Sequence, residues 1–424
     1  MRWVIILRLV SLLSQRLGAT VAAVWVVGAT ALSVAAEQAA DSTWTALRPL
    51  PHQGRVAVFA LAVDPTNNQV LVAANSERSL LRSPNAGSSW TTVHAAKAEV
   101  TTVAFDPYST SLVVAGTRGA GALVSRDGGA TWADATGLDG RSVRAFAFAL
   151  SLVAAATDKG VYLSADGLSW SPSGLTDRSI DALGVEAIHA PVRLLAGGEA
   201  QGTGGVLPLY QSVDGGTTWT QLSPPVTGGI AVRLAAGPLP PTGNVRPLVL
   251  GTNTGLFEST DNGASFNALS GGALLPVTDY TQVNFIADHF DRFYAASDGG
   301  GSAAGGLWRS DDAGQTFRSL KPPEPSVTAF AVSNDDQPTL YVATFKPSTH
   351  AASLWTYHDT GGDPQGPPGG TTTVATRSRG QGTGAESPLA SLIASPQLPY
   401  IGLGVVALAV VVTAIVAHLR GRAR

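Results

Sequence analysis

The chain has no cysteine. A disulfide framework, a thiol nucleophile and a thiolate metal site are therefore all excluded. Charge is scarce, since only 13% of the 424 residues are Asp, Glu, Lys or Arg. Lysine is scarcer still, at 4 residues against 23 arginines. Residues 37–386 hold all 30 acidic residues and 21 of the 27 basic ones, a net of −9, with no basic run among them. That balance argues against nucleic acid as a partner, because phosphate binding needs clustered positive charge. There is no Gly-x-Ser-x-Gly elbow, no phosphate loop and no metal-type pair among the seven histidines. No cofactor and no metal are expected. An amphipathic helical period is also missing from residues 40–359.

What the chain does have is 48 glycines and 44% hydrophobic residues. This mix suits many short buried strands joined by tight turns, where glycine supplies positive φ. One motif recurs six times, and its clearest copy is Ser125-Arg126-Asp127-Gly128-Gly129-Ala130-Thr131-Trp132. Further copies run from Ser212 to Trp219, Ser259 to Phe266 and Ser310 to Phe317. A degenerate copy from Ser83 to Trp90 has Asn85 in the Asp position, and a copy one residue shorter runs from Ser164 to Trp170 around Asp166. A spacing of about 40–50 residues points to propeller blades. The strand pattern agrees. Val100–Phe105, Ser111–Gly116 and Gly121–Ser125 are three short apolar runs, and a fourth begins at the Thr-Trp pair.

The six motifs place their aromatics at Trp90, Trp132, Trp170, Trp219, Phe266 and Phe317. After the last motif, Val327–Phe330, Thr339–Ala343 and Ser353–Thr356 supply three more strands and no fourth. Near the other end, Asp41-Ser42-Thr43-Trp44-Thr45 looks like the second half of the motif. The strand carrying Trp44 is therefore expected to complete a seventh blade, closing the ring and protecting its sheet edges. The expected fold is all-β, a seven-bladed β-propeller of four-stranded blades over residues 37–359. In each motif, the Asp (Asp127, Asp166, Asp214, Asp261, Asp312) or Asn85 is expected to accept hydrogen bonds from its own turn. The aromatic is expected to fill the gap between sheets.

The two ends read as targeting segments. Residues 1–36 have a basic lead, an apolar stretch and Val34-Ala35-Ala36 before Glu37, the pattern of an export signal or an uncleaved anchor. Residues 360–398 form a Gly/Pro/Ser/Thr-rich stem. Residues 399–419 are apolar enough for a spanning helix, and Arg420, Arg422 and Arg424 in the tail 420–424 put that end in the cytoplasm. The expected location is the cell membrane, single-pass, with the propeller outside.

The Ser-x-Asp-x-Gly-x-Thr-Trp pattern resembles the Asp-box, or BNR repeat, of bacterial sialidases, sortilin-type receptors, xyloglucan-hydrolysing propellers and the photosystem II assembly-factor family. The resemblance covers roughly residues 41–358 and implies a propeller with its boxes on the outer rim. A sialidase resemblance would also imply three arginines, a Tyr–Glu nucleophile pair, an acid Asp and an Arg-Ile-Pro motif. No Arg-Ile-Pro occurs, and Asp279-Tyr280 is adjacent without the spacing of a pair. The xyloglucan hydrolases imply two propellers, and this chain has one. Hydrolysis of a glycosidic bond needs two facing carboxylates, and Asp158, Glu199, Asp298 and Asp335 are scattered.

Propellers present ligands on the face carrying the turns between second and third strands, here at 117–120, 158–160, 199–205, 253–255, 297–306 and 346–352. Arg118, Lys159 and Lys346 stand on that rim as candidate binding residues. The expected role is a non-enzymatic binding module for a protein or glycan at the cell surface. The alternatives are an assembly factor for a membrane complex, for which no arginine cluster is visible in the sequence, and a glycoside hydrolase.

Overall fold

A computed structural model describes residues 43–361, apart from 49, 51–55, 188, 190, 201–205, 223–225, 227, 288 and 301–304. Residues 1–36, expected as an export signal or anchor, most of 360–398, expected as a stem, and 399–419, expected as a spanning helix, lie outside the described residues. Among the described residues no helix is long and apolar enough to cross a membrane.

The described residues form seven four-stranded antiparallel sheets. Six are built from consecutive strands. Blade one runs over Val58–Asp64, Asn67–Asn75, Ser79–Ser83 and Thr91–Ala95. The first strands of blades two to seven start at Val100, Val143, Ile180, Ala231, Gln282 and Val327. These first strands pack on one another around the whole ring and form the wall of a central channel. The fourth strands start one residue after each motif aromatic, at Thr91, Ala133, Ser171, Thr220, Asn267 and Arg318. The aromatic therefore closes the turn and does not open the strand.

Blade seven is the expected exception. Its first three strands are Val327–Val332, Thr339–Lys346 and Ala351–His358, and its outermost is Trp44–Ala46 from the other end of the chain. Trp44 pairs with Tyr357 and Ala46 with Trp355. The Trp44 indole is 2% exposed, its Nε1–H donates to the Leu320 carbonyl at 2.8 Å, and its ring lies 5.0 Å from that of Tyr357. Blade seven has no motif because its third and fourth strands are joined by no turn.

Burial follows the ring, with no single centre. Each blade-to-blade joint has its own apolar cluster. Val143, Phe146 and Trp170 of blade three meet Val114 and Val124 of blade two. At the joint closing the ring, Leu71 and Leu81 of blade one meet Tyr341 and Leu354 of blade seven. Near the axis the wedge narrows, and the second strands carry Gly or Ala there. A Cβ added at Gly116 would lie 2.7 Å from the Val143 carbonyl oxygen of the next blade, and one at Gly251 would lie 2.4 Å from the Tyr280 carbonyl oxygen. No larger residue fits at that approach.

At the rim, the motif is a closed hydrogen-bond circuit. The Ser125 hydroxyl donates to Asp127 Oδ1 at 2.8 Å and accepts from the Gly129 N–H at 2.9 Å. Asp127 Oδ1 accepts from the Thr131 N–H at 2.8 Å, and Oδ2 accepts from the Thr131 hydroxyl at 2.6 Å. Trp132 Nε1–H returns to the Gly129 carbonyl at 3.0 Å. Gly129 has φ +84°, and a Cβ there would lie 2.6 Å from Val72 of blade one, so the turn is also a joint between blades. Asp214, Asp261, Asp312, Asp166 and Asn85 repeat the acceptor role in their own turns. Slight burial pushes the Asp127 carboxyl up, but the Thr131 hydroxyl, the Thr131 N–H and the Ser125 hydroxyl outweigh it and hold it down at about 2. Asp214, with the hydroxyl and N–H of Thr218 as its main partners, is also held at about 2.

Candidate binding site in the central channel

A bulge places the side chains of the channel. In six blades the second residue of the first strand is an extra one: two residues there oppose one on the second strand. The extra residues are Phe59, Thr101, Arg144, Asp181, Val232 and Thr328. A bulge breaks the alternation of faces and re-aims a side chain. Here it delivers Thr101, Arg144, Asp181 and Val232 into one cavity of about 470 Å3 on the axis.

That cavity is lined by blades two to six, including Arg118, Ser142, Arg233, Thr281 and Gln282. A second space of about 210 Å3 shares Thr101, Thr102, Arg233 and Gln282 with it and continues towards Phe59, Phe285 and Phe330. Three arginines thus line one cavity, though they are far apart in the sequence. Two have carboxylate partners. Arg118 lies 3.4 Å from Glu99, and Arg144 bonds Asp181 and the Ser179 hydroxyl directly. Arg233 Nε–H is buried and has no partner among the described residues. Burial pushes the Arg233 guanidinium below its ordinary range. Burial also pushes Asp181 up, which Arg144 opposes and Glu199 reinforces. Asp181 Oδ2 and Thr281 Oγ1 are likewise buried without a partner among the described residues.

Of the three rim cations read from the sequence, Arg118 alone lines this cavity. Lys346 is paired with Glu324 at 3.0 Å. Lys159 sits in the second turn of blade three, where its N–H donates to the Thr157 hydroxyl at 3.1 Å. The four scattered carboxylates go to four blades. Asp158 accepts from the Ser142 N–H at 2.9 Å, and Asp335 accepts from the Ser333 hydroxyl at 2.8 Å. Glu199 lines a side pocket of about 330 Å3 with Asp177, Arg178 and Tyr210. Asp298 meets a carboxylate that spacing did not pair with it. A Cβ added at Gly300 would stand 2.8 Å from Asp279 Oδ2 and 3.3 Å from Asp298 Oδ1, so the two acids flank one point. Burial first, and Asp298 second, push Asp279 up to about 6. Neither acid lines the channel cavity. Tyr280, beside Asp279 in the chain, is fully buried, and its hydroxyl donates to the Leu275 carbonyl at 2.6 Å. It is a core residue.

Sequence reading missed Arg144, Asp181, Arg233 and Thr281. The available signal was a polar residue directly after the first apolar residue of a first strand, as in Val143-Arg144 and Ile180-Asp181. Without the bulge, those residues read as the solvent face of an alternating strand.

No protein-family model and no curated protein matches the chain. Solved structures do. "Structure of U3-55K" is 13% identical with a TM-score of 0.56, covering 76% of this chain and 99% of that one. "YCF48 bound to D1 peptide" is 15% identical with a TM-score of 0.50, covering 74% and 97%. An ancestral GH74 enzyme is 18% identical with a TM-score of 0.47 and covers 72% of this chain, which spans only 55% of that enzyme. At such identities the likeness to the first two concerns the fold alone.

Proposed function

We propose that the protein is a membrane-tethered, extracytoplasmic binding module whose ligand, a protein or glycan at the cell surface, enters the channel of the propeller. One observation carries this reading. The cavity gathers charged and polar side chains, Arg144 and Asp181 among them aimed by bulges, and polar atoms of Arg233, Asp181 and Thr281 in it have no partner among the described residues. A buried polar group left unpaired costs stability; Trp90 Nε1, Tyr210 Oη and Asp279 Oδ1 are single such atoms elsewhere among the described residues, and only in this cavity do three line one space. Asp181 is the one carboxylate among the described residues that line the cavity, and Arg144 already engages it. That arrangement suits binding better than hydrolysis. A propeller of this fold bound to a peptide supports a protein as one class of partner.

Tethering is supported by Val34-Ala35-Ala36, by the apolar run 399–419 and by the three arginines after it. The cysteine-free chain makes the test direct. A maleimide that cannot cross membranes should label Asp139→Cys on intact cells and should spare Ala423→Cys until the cells are opened. Labelling of both, or of neither, on intact cells contradicts the topology. For the channel, Gln282→Trp narrows the site without removing a charge and should abolish ligand binding while the ring stays folded.

A second reading, a glycoside hydrolase, is favoured by the facing pair Asp279 and Asp298. Release of reducing sugar from acidic or neutral polysaccharides, lost in Asp279→Asn and Asp298→Asn, would establish it. The assembly-factor reading gains from the convergence of three arginines that no local sequence cluster reveals. Its test is stable co-purification with one membrane complex.

A further inference from the structure

We infer that the channel cavity is built for a monocarboxylate carrying hydroxyl groups, of the sugar-acid class, with its carboxylate on Arg233 and a hydroxyl donating to Asp181 Oδ2. This rests on the reading of the channel as the ligand site and goes further by naming the ligand's chemistry. Three observations meet here. First, the unpartnered atoms set the ligand's hydrogen bonding. Arg233 Nε–H needs an acceptor, Asp181 Oδ2 needs a donor, and Thr281 Oγ takes either. A purely anionic ligand satisfies the first and repels the second. Second, the charges set the ligand's net charge. Glu99 pairs with Arg118 and Asp181 with Arg144, which leaves Arg233 as the arginine of the lining with no carboxylate bonded to it among the described residues. One negative charge on the ligand cancels it. A zwitterion would leave it uncancelled, and a dianion would exceed it. Third, Thr101, Thr102, Ser142, Thr281 and Gln282 line the same cavity, so neutral hydroxyl and amide groups surround the charged pair. A ligand with several hydroxyls matches such a wall. The cavity, at about 470 Å3, falls within the range of small-ligand sites, about 300–1,000 Å3.

The test is calorimetric titration of the full chain with D-galacturonate, D-galactose, acetate and a galacturonate trimer. Galacturonate is expected to bind at least about tenfold more tightly than galactose, which lacks the carboxylate, and than acetate, which lacks the hydroxyls. Arg233→Gln should remove at least about tenfold of the galacturonate affinity and bring it to the level of galactose. Thr281→Val, a milder change, should weaken it several-fold and guards against a folding failure of the arginine variant. Equal affinity for monomer and trimer would assign a free sugar acid. Tighter trimer binding would assign the end of an acidic glycan. Either result sustains the proposal. Galactose binding as tightly as galacturonate, an Arg233→Gln variant that binds as wild type, or no binding of any probe would overturn it. Gln282→Trp separates this failure from failure of the channel reading. If galactose or acetate binds as tightly as galacturonate and Gln282→Trp abolishes that binding, the channel remains the site and the sugar-acid assignment falls. If binding of every probe survives Gln282→Trp, both fall.

Discussion

The rim and the channel treat polar side chains in opposite ways. At the rim, Ser125, Asp127 and Thr131 saturate one another within a single turn, and the same circuit recurs in other blades. In the channel, Arg233, Asp181 and Thr281 come from three different blades and keep polar atoms that no described residue answers. A repeated, self-satisfied motif is an architectural device, since its residue types are explained without any ligand. An unrepeated constellation with unmet hydrogen-bonding capacity departs from the usual accounting of buried polar groups and points outwards. The acids that recur most often in this sequence are therefore not the ones to test for function.

The largest expected effect tests the rim where it lacks its motif. Trp44→Ala removes a buried indole, its hydrogen bond to Leu320 and the packing that closes blade seven. A loss of about 3–5 kcal/mol is expected, read as a drop in the midpoint of urea unfolding. Because the strand closes the ring, every blade should unfold in the same transition. A separate early transition confined to blade seven would contradict closure as the source of ring stability.

Next, Ser125→Ala breaks one motif and leaves the buried Gly129 N–H unmet, with an expected loss of about 1–2 kcal/mol and no change in ligand affinity. The motif carboxylates also set an acid limit. Asp127 and Asp214 are held at about 2, below the ordinary value near 3.9. A depressed folded value means stabilisation fully present above the unfolded value and lost as pH falls through the folded one. Melting temperature should hold down to about pH 4 and fall steeply towards pH 2. In Asp127→Asn that fall should be shallower. Asp279 has the opposite sign. Its folded value, raised to about 6, contributes stability that is present below about pH 4 and lost as pH rises through 6. Asp279→Asn should therefore melt higher than wild type at pH 7 and the same at pH 4. The smallest effect belongs to the exposed pair Lys346–Glu324, where Lys346→Ala should change stability by less than about 0.5 kcal/mol.

The architecture was legible because it is local and repeated. Six motifs at near-regular spacing, three strands left over after Phe317 and half a motif around Trp44 already imply seven blades and their closure. The channel site was not legible. Arg118, Arg144 and Arg233 lie in blades two, three and five, and only the ring brings them together. The bulge that aims Arg144 and Asp181 inwards leaves no mark in composition, because a strand with one extra residue still reads as a strand. The rim cations were read from loop position alone. Position does not show that Lys346 is paired with Glu324 while Arg118 lies on the cavity wall.

The measurement that bears most directly on this contrast pairs one substitution from each region. Galacturonate affinity and melting temperature would be measured together for Arg233→Gln and Ser125→Ala in the full chain. The account predicts that Arg233→Gln loses at least about tenfold in affinity at an unchanged or raised melting temperature, and that Ser125→Ala melts lower with affinity unchanged. If Arg233→Gln lowers the melting temperature and leaves affinity intact, the channel arginine is a structural residue like those of the rim, and the distinction between the two regions is wrong.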